Sequence, residues 1–152
     1  MSEVVEVVES DISLTGELRT HKNIHTNHSY NLIELSENYA KISIKAKNSE
    51  SVDDKNTIYD GSIFSAANFC AMAAINDEDS FLISANIDFL NQITKDDEDI
   101  IFEAKARVNT SGKKQIEVSG KINDISVFYG DFVTIKLDAK SVIKTKKKED
   151  IK

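Results

Sequence analysis

Gly61, Ser65, Asn68 and Met72 recur at three- and four-residue spacing, which places them on one narrow stripe of an α-helix at about 100° per residue. Asn68 is the only amide inside the apolar run Ser62 to Ile75. Burying an amide without partners costs roughly 1 to 3 kcal/mol. Asn68 therefore either bonds a surrounding sheet or a partner subunit, or faces a cavity where a ligand arrives. Gly61 favours the cavity. A glycine beside a helix N-terminus lets a ligand approach open N–H groups at the positive end of the dipole, which suits a carbonyl oxygen or an anion. Tyr59 and Asp60 stand at the same end, and Asp60 or Ser62 has the chemistry of an N-cap.

Other reactive residue types form weaker patterns. His21, His25 and His28 are spaced by four and three, as metal ligands on one helical face are, but no acid or cysteine completes the set and Asn27-His28-Ser29 reads as loop. Cys70, the one cysteine, falls about 200° round the helix from Asn68, where a small core residue is expected rather than a nucleophile. The chain holds no Gly-rich phosphate loop, no Gly-x-Ser-x-Gly elbow and no Cys-x-x-Cys pair. No metal and no resident cofactor is expected.

The helix that carries the stripe, Ser62 to Ile75, would run about 21 Å at 1.5 Å per residue. It is apolar on nearly every side, so it must be wrapped by the fold, and it is too short for a bilayer. Strand pairs supply the wrapping. Tyr30–Leu35 and Tyr39–Lys47 flank the turn Ser36-Glu37-Asn38, and a polar loop covers 48–58. After the helix, three segments alternate apolar and polar residues, Phe81–Phe89, Phe102–Val108 and Ile116–Ile122, and Val127–Leu137 reads as a last strand. Gly130, inside the last, marks a candidate bulge where the inward face would switch. Two strands, a buried helix and four strands joined by short turns predict an α+β protein with an antiparallel sheet around one long central helix. Residues 1–28 read as an N-terminal arm or weak helix, with Val4, Val5, Val8 and Ile12 at helical spacing before Gly16 and a Thr/Asn-rich stretch break the pattern. Residues 29–139 form the domain, and 140–152 a basic tail.

Charge and composition exclude several functions. The 152 residues carry a net charge of −7, against general nucleic-acid binding, which needs a basic face. Residues 140–152 hold six lysines against Glu149 and Asp150, so this tail is +4 and reads as a solvated end. No apolar run reaches membrane-spanning length, and the acidic start lacks the pattern of a secretory signal, so a cytoplasmic address is expected. The absence of Pro and Trp beside abundant Lys, Asn and Ile fits an AT-rich bacterial genome.

The pattern of two strands, a buried helix opened by Gly61, and a following Ala85-Asn86-Ile87-Asp88-Phe89-Leu90 resembles the hot-dog fold of the PaaI-like acyl-CoA thioesterases. There the helix opens with His-Gly-Gly and carries an acidic catalytic residue seven positions after the second Gly. In this chain Tyr59 stands at that His, Asp60 at the first Gly, Gly61 at the second, and Asn68 at the acid. Ile87-Asp88-Phe89-Leu90-Asn91 is similar to the family's Asp-Phe-Leu-Arg-Pro strand, with Asn91-Gln92 in place of Arg-Pro, and the turn Gly112-Lys113-Lys114 resembles a family hairpin. The likeness runs from about His21 to Leu137. An Asn at the acid position also resembles the ligand-sensing domain of the fatty-acid synthesis repressor of Gram-positive bacteria, a hot-dog domain that binds malonyl-CoA without hydrolysing it. Residues 1–28 are too short and too acidic for the helix-turn-helix of that repressor, so no nucleic-acid contact is expected.

The resemblance implies a homodimer or larger assembly, with each ligand channel between the helix of one subunit and the strands of the other. It implies an acyl-CoA or acyl-carrier thioester as ligand, with pantetheine towards Tyr59, Gly61 and Ser62, and the acyl chain along Phe64, Ser65, Asn68 and Met72. Asn86 and Phe89 would contribute from the following strand, and Lys113 and Lys114 would meet the CoA phosphates. An amide is neither a base nor a nucleophile at neutral pH, so Asn68 points to non-catalytic binding, with a regulatory role in fatty acid metabolism within reach. The alternatives are a thioesterase of altered chemistry using Asp60 or a water held by Asn68 and Ser65, and an interaction module with an unused pocket.

Overall fold

Five alanines, Ala66, Ala67, Ala71, Ala73 and Ala74, give one helix a surface smooth enough for strands to press against it closely, and all five are buried. A computed structural model describes residues 17–108 and 112–136. In chain order these form α1 (Lys22–His28), β1 (Asn31–Ser36), β2 (Tyr39–Ile44), a 3₁₀ turn (Ala46–Asn48), α2 (Asp60–Ile75), β3 (Ser80–Phe89), β4 (Ile100–Val108), β5 (Lys113–Ile122) and β6 (Ile125–Lys136). The apolar pattern at 4–12, the residues Asn109–Ser111 and the basic tail fall outside the described residues.

All six strands pair antiparallel in one sheet of order β1-β2-β4-β5-β6-β3. The β1–β2 turn holds Asn38 at φ 59°, and the β5–β6 turn holds Asn123 and Asp124 at φ 47° and 68°, residue types that tolerate the left-handed region. The sheet wraps α2, as its all-round apolarity requires, and Ile63, Phe69, Met72, Phe102, Phe128 and Phe132 are fully enclosed between the two layers. Truncating any one of these phenylalanines to alanine would cost about 3 to 5 kcal/mol.

Three local expectations are corrected. Tyr59, not Asp60 or Ser62, is the N-cap of α2, without a side-chain cap bond, so Asp60 opens the first turn and the helix has 16 residues. Asn27 and His28, read as loop, close a helix over Lys22–His28, because His25 stacks on the buried Phe69 ring at 5.6 Å and 8°, and this tertiary contact outweighs local propensity. Gly130 is not a bulge. It pairs regularly with Val118 and Ile87, and Phe128, Gly130, Phe132 and Thr134 keep one inward face. The register shifts lie between Leu32 and Glu34, between Leu82 and Ser84 and between Gly120 and Lys121. Glycine is needed at 130 because a Cβ there would fall 2.8 Å from Ile87 Cγ2 and 2.9 Å from Phe132 Cε1.

The end of α2 is closed by its own chain. Asn76 caps it at φ 51° and its N–H bonds Met72 O at 2.8 Å. The Asn76 side chain accepts the Arg19 N–H at 2.7 Å and donates to Glu17 O at 2.8 Å, tying the incoming segment to the helix. Among the described residues, no helix is long and apolar enough to cross a membrane.

Gly130→Ala is expected to destabilise the fold by about 1 to 3 kcal/mol through overpacking against Ile87 and Phe132. Urea denaturation measures it, and an unchanged midpoint would contradict the close approach.

Candidate binding site at the start of the central helix

The first turn of α2 presents backbone N–H groups that no side chain caps. Beside it opens a cleft of about 910 Å³, bordered by Tyr59, Gly61, Ser62 and Ser65 of the helix start, by Asn27 and His28 of α1, and by Lys45 beyond β2. Neutral amides and hydroxyls dominate this wall, with Asn31, Ser43, Asn48 and Ser49 adding to it. Such a lining can hydrogen-bond amides, carbonyls and hydroxyls of a ligand.

Gly61 meets a neighbour that its sequence position did not announce. The Tyr59 ring packs over its Cα, where any Cβ would collide with Cε2 and the ring's far end. Tyr59 is about half exposed, so a ligand reaching the Gly61 backbone displaces a ring that has room to move.

The stripe then runs inward. Ser65 is exposed, Asn68 half-buried and Met72 enclosed at 1% exposure. Asn68 Oδ1 is buried and has no hydrogen-bond partner, so the amide does not bond the wrapping sheet of its own chain. Phe64 stacks on Phe132 at 5.8 Å and 18°, filling part of the path laid out for an acyl chain. Cys70 faces the opposite side, with its thiol towards Ala40 O at 3.5 Å and Phe102 O at 3.6 Å, and burial pushes its pKa far up. It is a core residue.

Some of the expected contacts do not come together within one chain. Phe89 lies on the helix side of the sheet, edge-on to Phe128 at 5.7 Å, and is 43% exposed. Asn86 pairs with Asp131 on the face away from the helix, because it alternates with the inward-facing Ala85 and Ile87. Lys113 and Lys114 begin β5, and Lys114 borders a second cleft of about 630 Å³ at the opposite end of α2, with Arg19, Asp77 and Lys136. Asp77 is held below the ordinary carboxylate range by the Asp79 N–H, and burial opposes this less strongly than that bond; Lys136 at 3.2 Å adds to it. The lysine at the helix-start cleft is Lys45, which the sequence did not single out, because only the path of β2 past α2 brings it there. His28 stacks on Tyr30 at 5.3 Å, and both line this cleft. The histidine series thus packs on aromatic rings, at His25 and His28.

A long helix laid in a six-stranded antiparallel sheet of this strand order defines a hot-dog domain, and the chain belongs to the hot-dog superfamily. It is similar to Cj0977, a sigma28-regulated virulence protein from Campylobacter jejuni, at 32% identity and TM-score 0.71, over 80% of this chain and 94% of that one. It is 35% identical over 105 residues to the transcription factor FapR of Geobacillus sp. (strain WCH70), covering 66% of this chain and 52% of FapR. It is 34% identical over 119 residues to a methylthioribose-1-phosphate isomerase of Aquifex aeolicus, covering 78% of this chain and 26% of the isomerase. The chain therefore spans about half or less of the length of these curated relatives. The PaaI protein of the Escherichia coli phenylacetic acid degradation operon shares the fold at TM-score 0.66 and 15% identity, over 77% of this chain and 86% of PaaI. No family model matches the chain.

The Cys70 thiol should be silent to Ellman's reagent in the folded protein at pH 8 and give one equivalent after unfolding in urea. Burial keeps it protonated where an ordinary thiol begins to ionise. Rapid colour from the folded protein would contradict its place between β2, β4 and α2.

Proposed function

We propose that this chain binds an acyl thioester of the CoA or acyl-carrier type without hydrolysing it, as a cytoplasmic homodimer. The observation that carries the reading is Asn68: an amide with a buried, unpartnered Oδ1 at the position of the family's catalytic acid, one stripe inward from the open N-terminus of α2. Open helix N–H groups attract a thioester carbonyl, and Asn68 can orient the ester, but no carboxylate is present there to activate water. The likeness to FapR, a transcription factor, supports a sensing or regulatory role over a metabolic one. A hypothetical thioesterase protein from Streptococcus pneumoniae, solved with coenzyme A, shares this fold at 12% identity, which supports the fold's capacity for this ligand.

Dimerisation is supported by β3. It is an edge strand of ten residues, one of the two ends of the sheet, and Phe81, Ile83, Phe89 and Leu90 are exposed along and just beyond it. A long, apolar, unpaired edge invites a second strand. Antiparallel pairing of β3 with its copy would extend the sheet and bring Phe89 of each subunit towards the other's ligand cleft.

A second reading, a thioesterase of altered chemistry, is favoured by Asp60. Its carboxylate is exposed in the first turn of α2 and does not serve as the N-cap.

Calorimetric titration with acetyl-CoA and longer acyl-CoA esters, run beside a thiol-release assay, separates the two. Binding without release is expected, with Asn68→Ala weakening affinity about fivefold to tenfold through loss of one or two hydrogen bonds. Asn68→Asp should add slow thiol release. Turnover by the natural chain that disappears in Asp60→Ala would overturn the binding reading. Light scattering should give twice the chain mass, and Ile83→Lys should shift the protein towards monomer with its fold intact. A monomer at all concentrations would contradict pairing through β3.

A further inference from the structure

Tyr59 holds a position for which its side chain is poorly suited. It is the N-cap of α2, yet it makes no cap hydrogen bond, where Ser, Asp or Asn would satisfy one of the open N–H groups. Its hydroxyl has no hydrogen-bond partner among the described residues, and the residue is 52% exposed. An aromatic ring that caps nothing and lies half in solvent adds little to the stability of the helix start.

The ring has a definite resting place all the same. A Cβ built on Gly61 would collide with Tyr59 Cε2 and fall 2.7 Å from Cζ. The ring thus fills the space left by the missing side chain of Gly61, at the head of the stripe that continues through Ser65 to Asn68. Tyr59, Gly61 and Ser65 all border the helix-start cleft, so a ligand that enters along the stripe must take the space the ring now holds.

Backbone and ring of Tyr59 are held very differently. The Tyr59 N–H donates to Glu50 O at 2.9 Å, and its carbonyl accepts the Ser62 N–H at 3.0 Å. Just before it, the Ile58 N–H donates to Ile93 O at 2.8 Å. Rotation of the side chain into solvent breaks none of these bonds, and exposed side chains change rotamer within picoseconds to nanoseconds. A fixed hinge therefore carries a ring that is free to turn.

Resting on the acyl-thioester reading above, we propose that Tyr59 is the gate of the cleft. In the ligand-free chain its ring lies on Gly61 and closes the head of the stripe, and an arriving thioester turns it out to solvent. Glycine at 61 serves both states, since it gives the ring room to close and leaves bare backbone for the ligand once the ring has gone. The apparent affinity is then the intrinsic affinity multiplied by the fraction of chains with the ring turned out. Tyr59 forgoes a helix cap and gains control of entry.

The chain contains no tryptophan, so Tyr59→Trp places a single fluorophore on the gate. Its emission should move to longer wavelength as acetyl-CoA saturates the protein, with saturation followed by calorimetry. Adding Gly61→Ala to Tyr59→Trp should give the same shift without ligand, because the new Cβ takes the ring's place. Tyr59→Ser supplies a capping hydroxyl and removes the ring. It should melt no lower than the natural chain and bind acetyl-CoA about fivefold to tenfold tighter, as for a gate open about a tenth to a fifth of the time. Binding by Tyr59→Trp with unchanged emission would overturn the gate and leave the thioester site standing. Unchanged emission in the Tyr59→Trp, Gly61→Ala protein would do the same, since the ring would then rest elsewhere. Weaker binding by Tyr59→Ser would make Tyr59 a clamp on the ligand and overturn the gate too. Failure of the natural chain to bind acetyl-CoA would remove the thioester reading itself, and the gate with it.

Discussion

The constraint on which the rest depends is that α2 is apolar all round. A helix of this kind cannot lie on a surface, because any side left open exposes hydrophobic area to water at roughly 25 cal/mol per Å². The sheet must therefore curl round it, and alanines at the tightest approaches allow that. Gly130 does the same from the sheet, giving up its side chain where Ile87 and Phe132 close in. Once the helix is enclosed, its N-terminus is the place where backbone donors still meet solvent, and the cleft forms there.

Enclosure also gives polar atoms their meaning. Around α2 nearly every neighbour is hydrocarbon or paired backbone, so an oxygen without a partner is costly and conspicuous. Among the described residues two such oxygens stand out, Asn68 Oδ1 and Thr134 Oγ1. At the far end of the same helix the opposite holds: Asn76 spends its amide on two bonds to the incoming segment. One end of α2 is sealed and the other is left available.

Much of this was legible in the sequence, for reasons that differ by element. The helix announced itself through composition, and most of the strands through alternation of apolar and polar residues. β3 was legible as a strand but not in its facing. The irregularity between Leu82 and Ser84 turns Phe81 outward and Leu82 inward, in phase with Ala85, Ile87 and Phe89. No residue type marks that shift. Gly130 read as a bulge because a glycine in a strand fits either a bulge or a close approach, and only the facing residues distinguish them. The α1 helix was invisible because its stability lies in stacking of His25 on Phe69, 44 positions away in the chain.

The site was half legible. Gly61, Ser65 and Asn68 share a stripe because helical geometry fixes it, and Gly61 and Ser65 line the cleft together with Tyr59 and Ser62. Lys45 and His28 reach the cleft only through tertiary paths, while Lys114 sits by the other end of the helix. The most direct measurement is a nuclear magnetic resonance titration of the isotope-labelled protein with an acyl-CoA ester, following the backbone amide of Gly61 and the side-chain amide of Asn68. The account predicts saturable shifts centred on these two groups, with no free CoA released. Saturable shifts confined to the cleft at the Asn76 end, or prompt appearance of free CoA, would contradict it.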